Sequence, residues 1–480
     1  MRAVAADNSR SAGGAPDRRT GHATTVLLLT SGGFFLTTLD ILIVNVALTR
    51  MGQDLGGGTS ALQWVIDGYT LPFAALLLFA GNLSDRIGAK RAFAAGTAVF
   101  GATSVLCTAA PTIGLLIAAR CLQGAGAAVL LPPATALIRE AFPDPALRAR
   151  ALGVWTAGGA VSGAAGPLLG GLLTTLNWRL VFAVNIPVCL AILACLPRVA
   201  LSARRVAPFD WAGQVLAAGG LVALVYGLID GGEHSFGRLL VIAAFAVAAA
   251  SLAGFVAVQA RAAHPMMPLS LFRPRGMRIA LFGGFTFIVG WYGTVFLASL
   301  YLQRHLGLSP LLAGLAFLPS AMVSLAGNLS SGAVVNRFGT RLPTVLGLSS
   351  MTAGLTGLAL AAPLERAWPV ACLVILVGAG GSVAMPALTG LVLADTGPDQ
   401  AGIASAVLNM FRQIGGAVAI AVFGILVAAP RSFVPGLQAS LAIAAALGAL
   451  SALTCLRIRP RAGSADGGLG RCPRRGGRGL

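Results

Sequence analysis

The chain has 480 residues, of which 56% are hydrophobic and 10% charged, with a formal net charge of +19 and a mean hydropathy of +0.84. Soluble globular domains carry about 25% charged residues, so this composition excludes a water-soluble enzyme and calls for a polytopic membrane protein. Fourteen helices of about 20 residues need roughly 280 residues, close to the whole apolar inventory of the chain, which leaves little for a globular domain.

Apolar runs taken in chain order predict fourteen spans, so the expected fold class is an all-α polytopic membrane protein. The first six cover 25–47, 62–82, 92–110, 112–138, 150–174 and 179–197; two more follow at 210–230 and 237–258. The last six cover 278–301, 308–333, 342–361, 366–393, 402–428 and 436–456. This divides the chain into a basic tail (1–24), a six-helix half (25–197), a linker with two extra spans (198–277), a second six-helix half (278–456) and a basic, disordered tail (457–480). The opening MRAVAADNSRSAGGAPDRRTGH is too polar for a cleavable signal segment, so the first span is expected to stay as an anchor. The 63 glycines and 25 prolines are tolerated in membrane helices, where small residues allow close approach. Seven cysteines without a CxxC pair indicate neither a zinc site nor a disulfide framework.

An even number of spans puts both termini on one side. That side carries 26 of the 34 Lys and Arg residues and the opposite side 6; Arg120 and Arg412 fall inside spans. The bias predicts cytoplasmic termini in a multi-pass protein of the cell membrane, and it accounts for the +19 charge without nucleic acid. An internal echo supports a repeat: Asp85-Arg86-x-Gly88 after span 2 aligns with Asn336-Arg337-x-Gly339 after span 10, offset by 251 residues. Two repeated halves around a central site suit alternating access.

A P-loop needs a lysine followed by Ser or Thr, and the single lysine, Lys90, is followed by Arg91. Energy must therefore come from an ion gradient or a separate chain; no cofactor is expected beyond the proton gradient. Asp40 and Asp67 are the two carboxylates well inside spans. At about 1.5 Å per residue, Asp40 lies ~22 Å from the cytoplasmic end of span 1, while Asp67 and Arg120 lie ~8 and ~12 Å from the outer face. Intramembrane ionisable residues point to proton or ligand pathways, which makes Asp40 a candidate proton carrier and Arg120 a neighbour that expels the proton. The alternative is that packing partners merely satisfy each charge. Arg412, ~15 Å into span 13, equally suits a brace to Asn409 and Gln413.

Several segments resemble one known family. GNLSDRIGAKR (81–91) is similar to the signature between helices 2 and 3 of the major facilitator superfamily. LDILIVNVAL (39–48), RCLQGAGAA (120–128) and GAAGPLLGGLL (163–173) resemble elements of its fourteen-span drug/proton antiporters, the EmrB/QacA type. WVIDGYTL (64–71), WRLVFAVNIP (178–187), YLQRHLGLSPLLAGLAFLP (301–319) and NMFRQIGGAVAIAVFG (409–424) also look typical of that family. Thr49, Ala89 and Ser162 depart from its usual pattern.

The resemblance implies a cytoplasmic gate latched by Gly81, Asp85, Arg86, Gly88, Lys90 and Arg91, with the two glycines serving a tight turn. It also implies an antiporter motif at Gly163, Gly166, Pro167, Gly170 and Gly171 that seals against leak. The expected function is proton-coupled efflux of lipophilic small molecules, with cargo, protons and the bilayer as partners and a monomer as the working unit. An adaptor protein is left open. The competing readings are an uptake symporter of the same fold, a permease subunit driven by a partner, and a membrane-embedded enzyme. No metal-spaced cluster or nucleophile triad favours the last. Trp64, Trp178 and Trp368 are expected in an interfacial aromatic belt on one side and Trp211 on the other.

Overall fold

Residues 15–202, 204, 209–396, 400–428 and 433–458 are described by a computed structural model. The far ends of both basic tails lie outside them. Among the described residues helices are the only regular elements, as they must be where lipid offers the spanning backbone no hydrogen bonds. The first group of helices is α1 (Ala15–Leu55), α2 (Thr59–Ile87), α3 (Ala89–Ala109), α4 (Ile113–Ala141), α5 (Pro145–Leu176), α6 (Leu180–Ala183) and α7 (Asn185–Cys195). A hairpin of α8 (Trp211–Glu233) and α9 (Leu239–Arg261) follows. The last group is α10 (Arg275–Leu300), α11 (Pro310–Leu315), α12 (Leu318–Phe338), α13 (Arg341–Ala361), α14 (Ala367–Asp395), α15 (Ala401–Val427) and α16 (Phe433–Cys455).

Thirteen spans are long and apolar enough to cross a membrane, with α6–α7 and α11–α12 each forming one; the bent α5 brings the number to fourteen. The bend in α5, 40° between Arg150–Gly163 and Ala165–Leu176, has a local cause. Pro167 has no N–H to give to the Gly163 carbonyl, and its ring crowds that carbonyl.

α1 packs on α4 and α5, and α4 also on α2 and α3; α10, α13 and α14 form the corresponding centre of the second bundle with α12, α15 and α16. The α8–α9 hairpin lies against α2 and α15, one helix from each bundle, with Gln214 on α8 donating to the Ala75 carbonyl (2.8 Å). α9 is strongly apolar yet only 17% buried along its span, the signature of a helix that faces lipid.

The α2–α3 turn, with Arg86, Lys90 and Arg91, marks the basic face of the molecule. At the opposite face the bundles are tied together. Gln63 on α2 donates to the Ile420 and Ala421 carbonyls of α15 (2.9 and 2.8 Å). Ser299 and Gln303 donate to the Asn45 and Val46 carbonyls at the far end of α1, both at 3.0 Å. A π-type turn at Tyr301–His305 extends α10 and carries Gln303 to this contact.

Three sequence expectations need correction here. The segment 81–87 is not a loop: α2 continues to Ile87 and α3 begins at Ala89, so the turn is the single residue Gly88. Gly81 thus sits inside a helix, where its backbone is satisfied, and does not serve the turn. Trp178 is no belt residue; it is buried, and its Nε1 donates to Asp54 (2.7 Å). The repeat turn is nonetheless visible, since Gly88 and Gly339 end α2 and α12 with φ of 92° and 71°.

Candidate functional site

The polar centre of the first bundle is built on Asp40 of α1. Its carboxylate is ion-paired with Arg120 of α4, and both side chains are fully buried. Gln123 and Asn185 donate to the other carboxylate oxygen at 3.0 and 2.9 Å. The same two amides reach Ser104 of α3 at 2.9 and 3.4 Å, so four helices converge on one carboxylate. Arg120 also donates through Nε to the Val65 carbonyl (3.1 Å) and through Nη1 to Gln123 (2.7 Å). Its guanidinium lies 4.4 Å from the Tyr69 ring centre, and the Tyr69 hydroxyl donates to the Thr37 carbonyl (3.2 Å).

The sequence RCLQGAGAA explains this geometry. Arg120 and Gln123 are three residues apart and share a face of α4. Gly124 and Gly126 let the neighbours close in: a Cβ on Gly124 would stand 2.2 Å from the Tyr69 carbonyl oxygen, and one on Gly126 2.9 Å from the Phe100 nitrogen. Without that approach the Arg120 side chain would not reach the α2 backbone.

Asp67 does not join this cluster. It is fully buried on α2, accepts from the Thr70 hydroxyl (3.2 Å), and has one carboxylate oxygen without a hydrogen-bond partner. It lies one turn from Gln63 and only about 40° around the helix from it, hence on the face that meets α15. Arg412 of α15 donates to Asn409 (3.0 Å), as one sequence reading expected, but its Nε and the Gln413 amide nitrogen have no partner. No carboxylate pairs with Arg412 among the described residues.

The residues of the 81–91 signature lie at the basic face. Asp85, Arg86 and Arg91 are exposed. The Arg86 guanidinium is 5.1 Å from the Phe209 ring centre, and Phe209 stacks on Phe79 at 5.0 Å. Lys90 donates to the Pro197 and Val199 carbonyls, and its backbone N–H donates to the Ser202 hydroxyl (3.2 Å). In this conformation these side chains clasp the chain that leaves α7 for the α8–α9 hairpin. Gly88 is enforced by its backbone and by space, since a Cβ there would meet the Ser202 carbonyl oxygen at 3.0 Å. Gly88→Ala is expected to cost about 1–3 kcal/mol, read as a lower midpoint of thermal unfolding in detergent; an unchanged midpoint would refute it.

The glycines of the α5 motif divide by neighbour. Gly166 and Gly170 face α1, where a Cβ would stand 2.7 Å from the Leu42 Cβ and 2.9 Å from the Ile43 carbonyl oxygen. Gly171 faces the other bundle, with the Pro310 carbonyl oxygen 2.6 Å from a Cβ, and Gly314 of α11 reciprocates against the Pro167 carbonyl oxygen at 2.3 Å. Gly163 meets nothing within 4 Å. Its place is the bend, so it has no part in a small-residue packing pair.

The family model that describes the Major Facilitator Superfamily matches residues 30–420. The chain belongs to that superfamily. It is therefore a membrane transporter and not an enzyme. It is 35% identical over 448 residues to a methylenomycin A resistance protein of Streptomyces coelicolor, covering 92% of this chain and 93% of that protein. To a cephamycin export protein of Amycolatopsis lactamdurans it is 37% identical over 418 residues, covering 84% and 85%. The crystal structure of a D-xylose-proton symporter shares the fold, with a TM-score of 0.64 at 16% identity over 92% of this chain and 98% of that one.

Sequence reasoning placed Asp40 and Arg120 in one bundle but assigned no role to Gln123, Asn185, Ser104 or Tyr69. Gln123 and Asn185 lie within the family-like segments 120–128 and 178–187, and a buried amide in an apolar helix was the available signal. Gln63, Ser299 and Gln303 carried no comparable mark.

Proposed function

We propose that this transporter is a proton-driven exporter of lipophilic small molecules, of the fourteen-span drug/proton antiporter type, with its basic face in the cytoplasm of the cell membrane. The observation that carries the proposal is the buried Asp40–Arg120 pair, a titratable carboxylate held by a cation inside the first bundle. The names of the two relatives, one for resistance and one for export, support the outward direction of transport. The charge bias of the loops supports the orientation.

In the proposed cycle the ties at the opposite face hold the transporter closed to the outside. A proton entering from outside binds Asp40 only as Arg120 withdraws, because pairing and protonation compete for the same carboxylate. Arg120 then turns to Val65, Gln123 and the Tyr69 ring, which already surround it. When the basic face opens again, the returning guanidinium releases the proton inward. Two neutral amides, Gln123 and Asn185, both also bonded to Ser104, keep the carboxyl group solvated in both forms.

Asp67 supplies cargo recognition in this reading. A buried carboxylate with a free oxygen on the face between the bundles attracts a cationic group. Asp67→Asn is expected to lower transport of a lipophilic cation about tenfold, the equivalent of about 1.4 kcal/mol, while transport of a neutral cargo stays near wild type. Equal losses for both would assign Asp67 to coupling or packing.

The proposal as a whole is tested in proteoliposomes with an acid-inside pH gradient and a panel of lipophilic cations and antibiotics. Collapse of the gradient on adding cargo establishes exchange. A cargo that moves in the same direction as the proton would establish an uptake symporter and refute the export reading.

A further inference from the structure

A cavity of about 450 Å³ opens at the basic face between the start of α10 and the end of α16. Arg275, Arg278 and Arg457 line it together with Ile279, Phe282 and Thr454. Arg275 and Arg278 lie on α10, and Arg457 lies two residues past the end of α16, far away in sequence; all three are exposed. None of them forms an ion pair with a carboxylate among the described residues. The first turn of α10 contains no acidic residue, and Pro274 gives it no side-chain cap. One carboxylate lies near: a Cβ on Gly276 would be 2.1 Å from Asp395 Oδ2. Asp395 has an interaction of its own, and one negative charge would still leave this corner with a surplus of two positive charges.

Three arginines lining one cavity concentrate positive charge that an anion would offset, and their planar donors match phosphate oxygens in pairs. The cavity also has an apolar side. Ile279 and Phe282 lie one and two turns beyond Arg275, about 6 and about 10 Å deeper into the span. A bare phosphate ion would leave that wall uncovered. A phospholipid fits both parts: the phosphate among the arginines, and the glycerol and upper acyl chain along Phe282. Basic pockets between membrane helices at the interface are suited to such headgroups.

We propose that this cavity binds the phosphate headgroup of an anionic phospholipid. The site is separate from the Asp40 cluster, which belongs to the other bundle, and the inference does not depend on the direction or energy source of transport.

The test uses the full-length protein in detergent, offered phosphatidylglycerol or phosphatidylcholine of identical chains and examined by native mass spectrometry. Wild type is expected to keep one phosphatidylglycerol per chain, with a preference of about fivefold over phosphatidylcholine. The triple variant Arg275→Gln, Arg278→Gln, Arg457→Gln should lose that lipid and the preference. The triple Arg→Lys variant keeps the charge and tests folding and topology; it should retain most of the preference. Phe282→Ala should weaken phosphatidylglycerol binding and leave displacement by inorganic phosphate unchanged. A preference that survives the Gln variant would overturn the site. Equal binding of inorganic phosphate alone, with no effect of Phe282→Ala, would overturn the lipid as its occupant.

Discussion

Asp40→Asn is expected to abolish cargo-driven proton movement in proteoliposomes, and to do so for every cargo in the panel. The side-chain volume barely changes, but the chemistry at the centre of the first bundle does. Gln123 and Asn185 both donate to one Asp40 oxygen, so an asparagine at this position must keep its carbonyl oxygen there. Its NH2 group then points at the Arg120 guanidinium, donor against donor. The buried cation also loses its counter-ion. Removing one partner of a buried pair costs roughly 3–5 kcal/mol, a large part of the total stability of a folded domain. Low yield of the single variant is therefore part of the expectation, and it would not by itself prove coupling.

The double variant Asp40→Asn, Arg120→Gln separates the two effects. It removes both charges and gives the new amide an acceptor, so folding should recover and the thermal midpoint should approach wild type. Proton exchange should not recover, because no carboxylate is left in the cluster. A well-folded double variant that still exchanges protons for cargo would move the coupling role away from Asp40. Asp67 would be the next residue to test, since it is the other carboxylate buried well inside a span.

Charge was the legible part of this site, and rotation about the helix axis was the illegible part. Asp40 and Arg120 stand out in apolar runs, and their depth along the helices is simple arithmetic. Which way a helix turns is encoded by contrast between an apolar and a polar face, and helices surrounded by lipid and by other apolar helices have little contrast to read. Asp67 shows the consequence. Its depth resembles that of Arg120, yet α2 turns it toward α15 while Val65 and Tyr69 face the ion pair. The same ambiguity applies to the glycines of α5, because spacing along the helix does not say which neighbour each one meets. In the fold Gly159 meets the Phe34 ring, Gly166 meets α1, and Gly163 has no neighbour because Pro167 bends the helix there. The contact between Arg86 and Phe209 joins residues separated by 123 positions, and no local pattern announces it.

Gly171→Val is expected to shift the transporter toward the state that is open at the face opposite the basic face. A Cβ on Gly171 would stand 2.6 Å from the Pro310 carbonyl oxygen and 2.9 Å from the Leu311 Cα, both backbone atoms that have no rotamer through which to yield. The overlap is relieved only if α5 and α11 part. Overpacking of this kind costs about 1–3 kcal/mol, and a bias of about 2 kcal/mol changes a two-state ratio about thirty-fold. Because only the closed state carries the contact, the penalty falls on one state and redistributes the population. Thr174 provides the readout: it is 4% exposed and lies three residues beyond Gly171, about 60° around α5 from it. In a cysteine-free background, Thr174→Cys should react with a membrane-impermeant maleimide much faster when Gly171→Val is present, and cargo transport should drop at least about tenfold. Gly314→Val attacks the same seam from the other bundle and should behave alike. Gly163→Val is the internal control, since it lies in the same motif with no atom within 4 Å of the added carbon. Its labelling should match the parent protein. If Gly163→Val and Gly171→Val increased labelling equally, the motif would act through the bend of α5, and the contact between the bundles would not be the seal.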